Sequence, residues 1–195
     1  METTTLSYAN MHEHGALFPN MLRARHRTFI EMKNWELPEE SGMEFDQYDT
    51  AQSRWCCVHE NGRVMAGVRL TPTTAECGVY SYMVRDAQRG LLDTIPGNLL
   101  WENAPVAAHI WDANRLFVVS DIDQSIRRRV QMSIMGEMIR SARGLGATIL
   151  LGLLPISIPR LARRLGIDMA EAGPEMDFDG VAHRCYFVSM ASKMH

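Results

Sequence analysis

The chain has 195 residues, of which 46% are hydrophobic and 22% are charged, and its net charge is −3. These values are typical of one globular domain spanning residues 1–195, and they argue against a disordered or fibrous chain. No apolar run is long enough to span a membrane, and the first residues lack the basic start and apolar stretch of a signal peptide. We therefore expect no membrane span and a cytoplasmic location.

The cysteines point to the same compartment. They form no Cys-x-x-Cys pair and no Cys/His metal spacing, so we expect reduced thiols and no bound metal. The four are Cys56, Cys57, Cys77 and Cys185.

The first half of the chain is predicted to contain a mobile segment, a helix and a hairpin. Residues 1–15 are polar and rich in threonine, which predicts a mobile N-terminal segment. Apolar residues at helical spacing predict a helix over residues 18–33. The pair Asn61-Gly62 is typical of a two-residue turn, which here joins strands over residues 53–60 and 63–70.

The second half alternates strands with helices. A long helix is predicted over residues 124–143, because Asp121 and Asp123 can cap its start and Gly144 and Gly146 can end it. This order predicts a single-domain α/β (α+β) fold, in which helices flank a mixed central sheet. The other predicted elements are strands over residues 79–84, 115–120, 147–154 and 184–190 and helices over residues 87–92 and 158–165.

Aromatic and acidic side chains come together between Leu22 and Asp49. Arg25 and Phe29 share one face of the predicted helix, and Trp35 follows near its end. A succession of acidic residues comes next. Ring faces beside carboxylates can hold an organic cation through π-electron and Coulomb attraction. The alternative is a solvated acidic loop after an amphipathic helix.

Positive charge is concentrated in residues 124–166, which contain eight arginines and one glutamate. This distribution predicts a polyanionic partner. Nucleic acid is not expected, because no helix-turn-helix, zinc or aromatic-platform pattern accompanies the arginines. A phosphopantetheine-bearing donor or an acidic carrier protein fits better, and the helix that starts at Gln124 can offer backbone N–H groups to a phosphate.

Three ordered motifs resemble those of the acyl-homoserine lactone synthases, the autoinducer synthases of bacterial quorum sensing. Together they cover about residues 20–166, and their order and separation are more specific than any one of them alone. The first, R-x3-F-x5-W followed by E-x-D-x-x-D, is matched by Arg25, Phe29, Trp35, Glu44, Asp46 and Asp49. The second is the strand end Arg69-Leu70-Thr71-Pro72-Thr73-Thr74, and the third is the segment 111–118, which is similar to the family's WExSRxFV pattern.

The resemblance implies a fold akin to the GNAT N-acyltransferases, with a cleft where two central strands splay. It also implies a two-step reaction on S-adenosylmethionine, in which acylation of the amine is followed by lactone closure and release of methylthioadenosine. S-adenosylmethionine is then a substrate, no cofactor is implied, and the donor is acyl-coenzyme A or an acyl-carrier protein. Two alternatives are a GNAT-like acyltransferase acting on another amine and a non-catalytic relative that binds the same molecules.

The resemblance further implies roles for the motif residues. Asp46 and Asp49 with Arg25 and Arg69 match the polar network that shapes the S-adenosylmethionine pocket, unless they form an ion-pair network that only orders this region. Arg69 either pairs with the substrate carboxylate or holds the two aspartates. Arg69 and Asp46 are also assigned to catalysis. The implied S-adenosylmethionine-binding set is Arg25, Phe29, Trp35, Asp46, Asp49, Arg69 and Arg115.

Asp112 is the position where the chain departs from the family pattern, which has glutamate here. That glutamate is a candidate base for the substrate amine, directly or through water. Aspartate is shorter by one methylene, about 1.5 Å, which favours a bridging water. Alternatively, Asp112 only holds Arg115.

The acyl donor is expected to meet residues from the second half of the chain. Backbone N–H groups near Phe117 and Val118 are expected to bind the thioester oxyanion. Where the family often has threonine, this chain has Gly152 or Leu154, so we predict an unsubstituted, branched or aryl acyl chain rather than a 3-oxo one. The acyl- and phosphopantetheine-binding set is Phe117, Val118, Arg127, Arg128, Leu151, Gly152 and Leu154.

Overall fold

A computed structural model describes residues 1–164 and 166–190. Within this part, strands, α-helices, a 3-10 turn and a π-helical segment follow one another along the chain. Their bounds are β1 (Glu2–Leu6), a 3-10 turn (Met11–His14), α1 (Leu17–Arg25), the π-helical segment (His26–Met32), β2 (Glu39–Glu40), β3 (Met43–Glu44), β4 (Arg54–Glu60), β5 (Arg63–Pro72), α2 (Met83–Gln88), β6 (Ile110–Val118), α3 (Gln124–Gly144), β7 (Ile149–Pro155), α4 (Ile158–Arg164), β8 (Met169–Glu171), β9 (Met176–Phe178) and β10 (Val181–Ser189).

The residues form two compact units. The first consists of Met1–Leu70 and Arg115–Ser141, and the second of Thr71–Asn114 and the chain from Ala142 onwards. The single domain predicted from length and composition stays a prediction.

The first unit contains an antiparallel arrangement of β1, β4 and β5. The predicted turn is confirmed: Asn61 and Gly62 have φ angles of 49° and 79°, the left-handed values that this kind of hairpin requires. The sequence did not reveal β1, because its Glu-Thr-Thr-Thr-Leu run has one apolar residue. Its residues pair with β4 from Glu2 opposite His59 to Leu6 opposite Trp55. The predicted mobility of residues 1–15 stays a prediction.

The helix predicted over residues 18–33 is confirmed in extent, but its second half is π-helical. At its end, the N–H of Trp35 donates to the carbonyl of Phe29 at 3.0 Å, which extends the wide turn past Met32. Within the helix, the Thr28 hydroxyl donates back to the Ala24 carbonyl at 2.8 Å, a contact that bends helices. π-Helical turns occur frequently at functional sites.

The long helix α3 confirms the prediction for residues 124–143 within one residue. Val130, Ile134 and Met138 recur every four residues on one face and are all buried. The Asp123 carboxylate accepts the Ser125 N–H at 2.7 Å and so caps the helix as expected. Asp121 does not act as a cap in this way: its carboxylate pairs with Arg63 at 3.0 Å.

In the second unit the strand order is the first part of β6 (residues 110–114), β7, β10 and β8, and β9 also pairs with β10. β6 and β7 are parallel, whereas the pairs made by β10 are antiparallel. The mixed sheet flanked by helices is therefore confirmed.

The pairing of β6 with β7 is short. Within the described residues it runs from Ile110 opposite Ile149 to Asp112 opposite Leu151, although β7 continues to Pro155. Directly after the last pair, a Cβ added to Gly152 would lie 3.2 Å from the Ala113 carbonyl oxygen. Gly152 therefore allows the backbone of β6 to approach closely at this point. The predicted splay of two central strands stays a prediction.

The strand predicted over residues 79–84 and the helix over 87–92 are wrong. The structure has an isolated bridge between Cys77 and Tyr80, and then helix α2 from Met83 to Gln88. The buried Asp86 carboxylate accepts the Ser81 N–H at 2.8 Å, which organises the chain just before the helix. Met83 and Val84, the last two residues of the run that suggested a strand, instead lie on the buried side of this helix.

Strands in the remaining part also start elsewhere than expected. β6 begins at Ile110 rather than 115, and β10 begins at Val181 rather than 184. Polar residues near the start of each strand separate it from the longer apolar run that predicts a strand. β7 begins at Ile149 and α4 at Ile158, within two residues of their predictions. Leu165, the predicted end of that helix, lies outside the described residues.

Candidate active site

The first motif and two later arginines meet in one buried ion-pair network in the first unit. Its arginines come from the end of α1, from β5 and from β6, and its carboxylates come from β3 and the loop after it. Three positive charges face three negative charges, so the network is neutral as a whole. Its members are Arg25, Glu44, Asp46, Asp49, Arg69 and Arg115.

Asp49 is the most heavily bonded carboxylate of the network. Arg25 donates to both of its oxygens, at 2.7 and 3.0 Å, in the two-pronged geometry that arginine makes with carboxylates. Arg69 approaches Oδ2 to 2.9 Å, and the backbone N–H of Asp46 donates to the same oxygen at 2.9 Å. The indole N–H of Trp55 donates to Oδ1 at 2.7 Å. Five donor contacts therefore hold this carboxylate in one orientation.

Arg115 and Arg69 share the other two carboxylates with Arg25. Arg69 donates to both oxygens of Asp46, at 2.5 and 3.0 Å, and Arg115 reaches Oδ2 of Asp46 at 2.9 Å. Glu44 accepts from Arg25 Nε at 2.5 Å and from Arg115 at 3.1 Å. Glu44 therefore connects the end of α1 to β6 through these two arginines.

Burial and charge act in opposite directions on the network. Burial alone would raise the pKa of Asp49, but the positive charges of Arg69 and Arg25 outweigh it and hold that pKa well below its usual range. Burial likewise lowers the pKa of Arg69, but the charges of Asp46 and Asp49 outweigh it and raise the pKa above its ordinary value. These carboxylates and guanidinium groups are therefore ionised.

Arg69 lies against both aspartates of the network. Its side chain is fully buried, and its guanidinium holds both Asp46 and Asp49. In this structure Arg69 is thus the residue that locks the two aspartates.

The aromatic residues of the first motif form a stack beside the network. The rings of Phe29 and Trp35 are 5.3 Å apart and within 12° of parallel, and Phe117 meets Phe29 edge-on at 5.9 Å. Phe29 is buried, whereas Trp35 is half-buried. Phe29 therefore supports the stack from inside, and Trp35 is the more exposed of the two rings.

Gly67 makes room for this aromatic arrangement. A Cβ at this position would lie 2.7 Å from Cε1 of Phe117 and 2.9 Å from Cε of Met21, closer than carbon atoms pack. No local sequence pattern predicts this requirement, because a glycine inside a strand has several common explanations.

Arg115 has an unusual backbone in the middle of β6, with a φ of 53°. Residues other than glycine pay a conformational cost in this left-handed region, and such strain often persists at functional sites. The guanidinium carbon of Arg115 also lies 5.6 Å above the Phe29 ring. Arg115 therefore links the aromatic stack to the network.

Asp112, the candidate base, lies in the second unit and is fully buried. The side-chain amide of Asn114 donates to its Oδ2 at 2.7 Å. Burial, and then the charge of Asp112, raises the pKa of both Tyr82 and Cys185, that of Cys185 to about 12. Sequence reasoning missed Tyr82 and Cys185 as neighbours of Asp112, because they are far from it along the chain.

The residues assigned to acyl binding fall into both units. Leu151 and Gly152 are buried and Leu154 is half-buried on β7 in the second unit, where Gly152 lies opposite Tyr186. The remaining assigned residues, Phe117, Val118, Arg127 and Arg128, belong to the first unit.

At the start of α3, one backbone N–H group that a phosphate could use already has a hydrogen-bond partner. The Asp123 carboxylate already accepts the Ser125 N–H, and Arg127 donates to the Val119 carbonyl at 3.1 Å. Arg128 is exposed one residue further along the helix. Phosphate binding at this helix terminus stays a prediction.

Two further expectations concern metals and membranes. Across residues 1–164 and 166–190, no group of three or more His, Cys, Asp or Glu side chains is arranged to hold a metal ion. In the same part of the chain, no helix combines the length and the apolar character needed to cross a membrane.

The fold is that of the acyltransferases. An acyl-CoA N-acyltransferase from Pseudomonas aeruginosa superimposes with a TM-score of 0.59 at 13% identity, covering 96% of this chain and 98% of that one. A likeness at this distance shows the fold alone, and it confirms the predicted GNAT-like architecture.

Within the acyltransferases, sequence similarity assigns the chain to one family. The family model described as autoinducer synthase matches residues 9–181, so the chain belongs to the autoinducer synthase family. An acyl-homoserine-lactone synthase of Acinetobacter nosocomialis is 28% identical over 171 residues, which are 84% of this chain and 87% of that protein. The predicted activity is thereby confirmed: the chain is an acyltransferase of acyl-homoserine lactone synthesis.

Solved structures of related synthases agree with this assignment. TofI, in a ternary complex with an inhibitor and MTA, is 25% identical with a TM-score of 0.78, covering 99% of this chain and 94% of TofI. BjaI, a CoA-dependent acyl-homoserine lactone synthase solved with SAM and isopentyl-CoA, is 21% identical with a TM-score of 0.74, covering 97% of this chain and 83% of BjaI.

Proposed function

We propose that the ion-pair network and the aromatic stack hold S-adenosylmethionine while the enzyme transfers an acyl group to its amine. The observation that carries this proposal is the convergence of all six motif and arginine residues in one buried, charge-balanced network beside the half-buried Trp35. The MTA bound to TofI and the SAM bound to BjaI support the same substrate here.

In this proposal the ion-pair network positions the substrate, and the aromatic rings attract its sulfonium group. Because Arg25, Arg69 and Arg115 neutralise the three carboxylates, the network has little net charge with which to attract a cation. The face of Trp35 then provides the contact for the sulfonium, since ring faces attract cations. The network keeps the loop after β3 rigid, so that the substrate is held curled for the second step.

The first step needs a base for the α-amine, whose pKa is about 8 in water. We assign this role to Asp112, which takes a proton directly or through a bridging water, as its short side chain favours. Asn114 holds Oδ2 of Asp112 and thus fixes the direction of the carboxylate.

Acyl transfer then follows without a cofactor. The amine nitrogen forms a bond to the thioester carbon, backbone N–H groups near Phe117 and Val118 stabilise the oxyanion, and the C–S bond breaks to release the thiol. In the second step the substrate's carboxylate oxygen forms a bond to Cγ, the Cγ–S bond breaks with its electron pair on sulfur, and methylthioadenosine leaves.

We propose the acyl group and its carrier from the side chains of β7 and α3. Leu151, Gly152 and Leu154 offer no side-chain hydroxyl to a 3-oxo group, so an unsubstituted, branched or aryl chain suits them. Arg127 and Arg128 suit the phosphates of coenzyme A or an acidic acyl-carrier protein, and nucleic acid is not a proposed partner. The four free thiols suit the reducing cytoplasm of a bacterium.

Steady-state kinetics of four variants tests these roles. Trp35→Leu and Asp46→Asn are expected to raise KM for S-adenosylmethionine, because each removes a contact of the bound substrate or of its support. Asp112→Asn is expected to lower kcat about 100-fold with little change in KM, as expected for loss of a general base. Asp112→Glu should recover most of the rate.

Asp93→Asn makes the same chemical change at an exposed position and serves as the control. Unchanged kinetics in Asp46→Asn and Trp35→Leu would contradict the proposed substrate site. A folded Asp112→Asn variant with normal kcat would remove Asp112 from the chemistry.

A further inference from the structure

A lysine of the chain occupies the aromatic stack. The ammonium nitrogen of Lys33 lies 4.6 Å from the centre of the Trp35 ring and 5.3 Å from the centre of the Phe29 ring. Both distances are within the range of a cation–π contact. The side chain follows directly on the π-helical segment, as its C-terminal cap residue.

The aromatic rings and the lysine of this contact differ in their surroundings. Phe29 is fixed on its other sides by Phe117 and by the guanidinium of Arg115. Lys33 is exposed, and Trp35 is half-buried. The ammonium therefore borders solvent, whereas Phe29 is packed inside the stack.

We propose that the ammonium of Lys33 and the sulfonium of S-adenosylmethionine compete for the same ring faces. Each is a compact cation on a flexible carbon chain, and the stack can solvate one of them at a time. Lys33 thus fills the stack in the free enzyme and is displaced on substrate binding, which weakens the apparent affinity for the substrate. The inference rests on the proposed function, in which these rings contact the sulfonium.

The change Lys33→Met tests this competition, because methionine keeps an unbranched side chain and loses the charge. We expect KM for S-adenosylmethionine to fall about two- to fivefold, the factor that corresponds to losing an exposed cation–π contact. Lys33→Arg retains a cation that stacks on aromatic rings, so its KM should not fall.

Removing any nearby positive charge would also favour a cationic substrate, and Arg27→Met controls for this effect. Arg27 is exposed on the same π-helical segment. Its replacement removes one positive charge without removing a cation–π contact found among the described residues. A similar fall of KM in Arg27→Met would overturn the proposal in favour of simple repulsion.

Displacement can also be observed directly by NMR. In the free enzyme, ring currents should shift the terminal methylene protons of Lys33 upfield, and saturation with S-adenosylmethionine in the absence of an acyl donor should move them back. Methylene signals that stay shifted in the saturated enzyme, or a KM that rises or stays the same in Lys33→Met, would overturn the proposal.

Trp35→Leu distinguishes a failure of the proposed substrate site from a failure of the proposed competition. If its KM for S-adenosylmethionine is unchanged, the proposed substrate site itself is wrong. If that KM rises while Lys33→Met shows no fall, the site stands and only the competition is wrong.

Discussion

The indole nitrogen of Trp55 lies 2.7 Å from Oδ1 of Asp49 and donates a hydrogen bond to this buried carboxylate. The Trp55 ring is itself fixed by Tyr8, which stacks on it at 5.4 Å and 18°. The Tyr8 hydroxyl in turn donates to the backbone carbonyl of Asp49 at 2.8 Å. Through these contacts the N-terminal segment and β4 both hold the carboxylate at the centre of the network.

Trp55→Phe should therefore weaken the network without removing an aromatic ring from the core. Loss of a hydrogen bond to a buried charged group typically costs about 1.5–3 kcal/mol, so we expect the free energy of unfolding to fall by about this amount, together with a higher KM for S-adenosylmethionine. Urea unfolding and steady-state kinetics measure the two effects. Tyr8→Phe, which keeps the stacked ring and loses only a hydrogen bond to a carbonyl, should have a smaller effect on both.

Gly67→Ala should be destabilising although the change is a single methyl group. The added Cβ would lie 2.7 Å from Phe117, and overpacking of this kind costs about 1–3 kcal/mol. Displacement of Phe117 should also disturb Phe29 and so raise KM for S-adenosylmethionine. Gly136→Ala makes the same change in α3, where nothing lies within 4 Å of the new Cβ, and should stabilise the helix by up to about 1 kcal/mol. Equal stabilities of the two variants would refute this account of Gly67.

The network should also determine the stability of the protein in acid. Burial raises the pKa of Asp46 and of Asp49, but the nearby arginines outweigh it, so both pKa values lie below the ordinary value of 3.8. A carboxylate with a lowered pKa stabilises the folded state above its unfolded pKa, and this contribution is lost as the pH falls towards the folded value. Urea unfolding should thus show little network-dependent change from pH 7 to about 5 and a loss of stability below about pH 4. If Asp49→Asn showed the same acid-dependent loss as the native protein, the network would not be its source.

One of the four cysteines should react quickly with a thiol reagent, and the other three should react slowly. Cys77 is exposed, whereas burial raises the pKa of Cys56 to about 11 and those of Cys57 and Cys185 to about 12. Because the thiolate is the reactive form, an aromatic disulfide reagent at neutral pH should titrate one thiol quickly in the native protein and all four in denaturant. Cys77→Ser should abolish the fast phase, and a fast phase of the same size in that variant would contradict the assignment.

The sequence contained most of what defines the site, because the motif residues have a fixed order and chemistry. Arg25, Asp46 and Asp49 were expected to form a polar network with Arg69, and the contacts of the network agree. The long helix and the hairpin at Asn61 were also predictable, since both depend on local signals.

Other features depend on contacts that no local pattern encodes. Trp55 joins the network because β4 runs past the loop that carries Asp49, and Gly67 is required because Phe117 packs against it from another strand. The strand predicted over residues 79–84 failed for the related reason that a buried carboxylate, that of Asp86, organises this segment. In each case the deciding interaction is tertiary and cannot be read from local spacing.

The central claim is that one active site acylates S-adenosylmethionine and then closes the lactone. The most direct test is to incubate the enzyme with S-adenosylmethionine and a panel of acyl-coenzyme A and acyl-carrier-protein donors, and to quantify acyl-homoserine lactone and methylthioadenosine by mass spectrometry. We predict equal amounts of the two products with at least one donor that lacks a 3-oxo group, and a loss of both in Asp46→Asn. Accumulation of an acylated amine without methylthioadenosine, or neither product from a folded enzyme that binds S-adenosylmethionine, would contradict the claim.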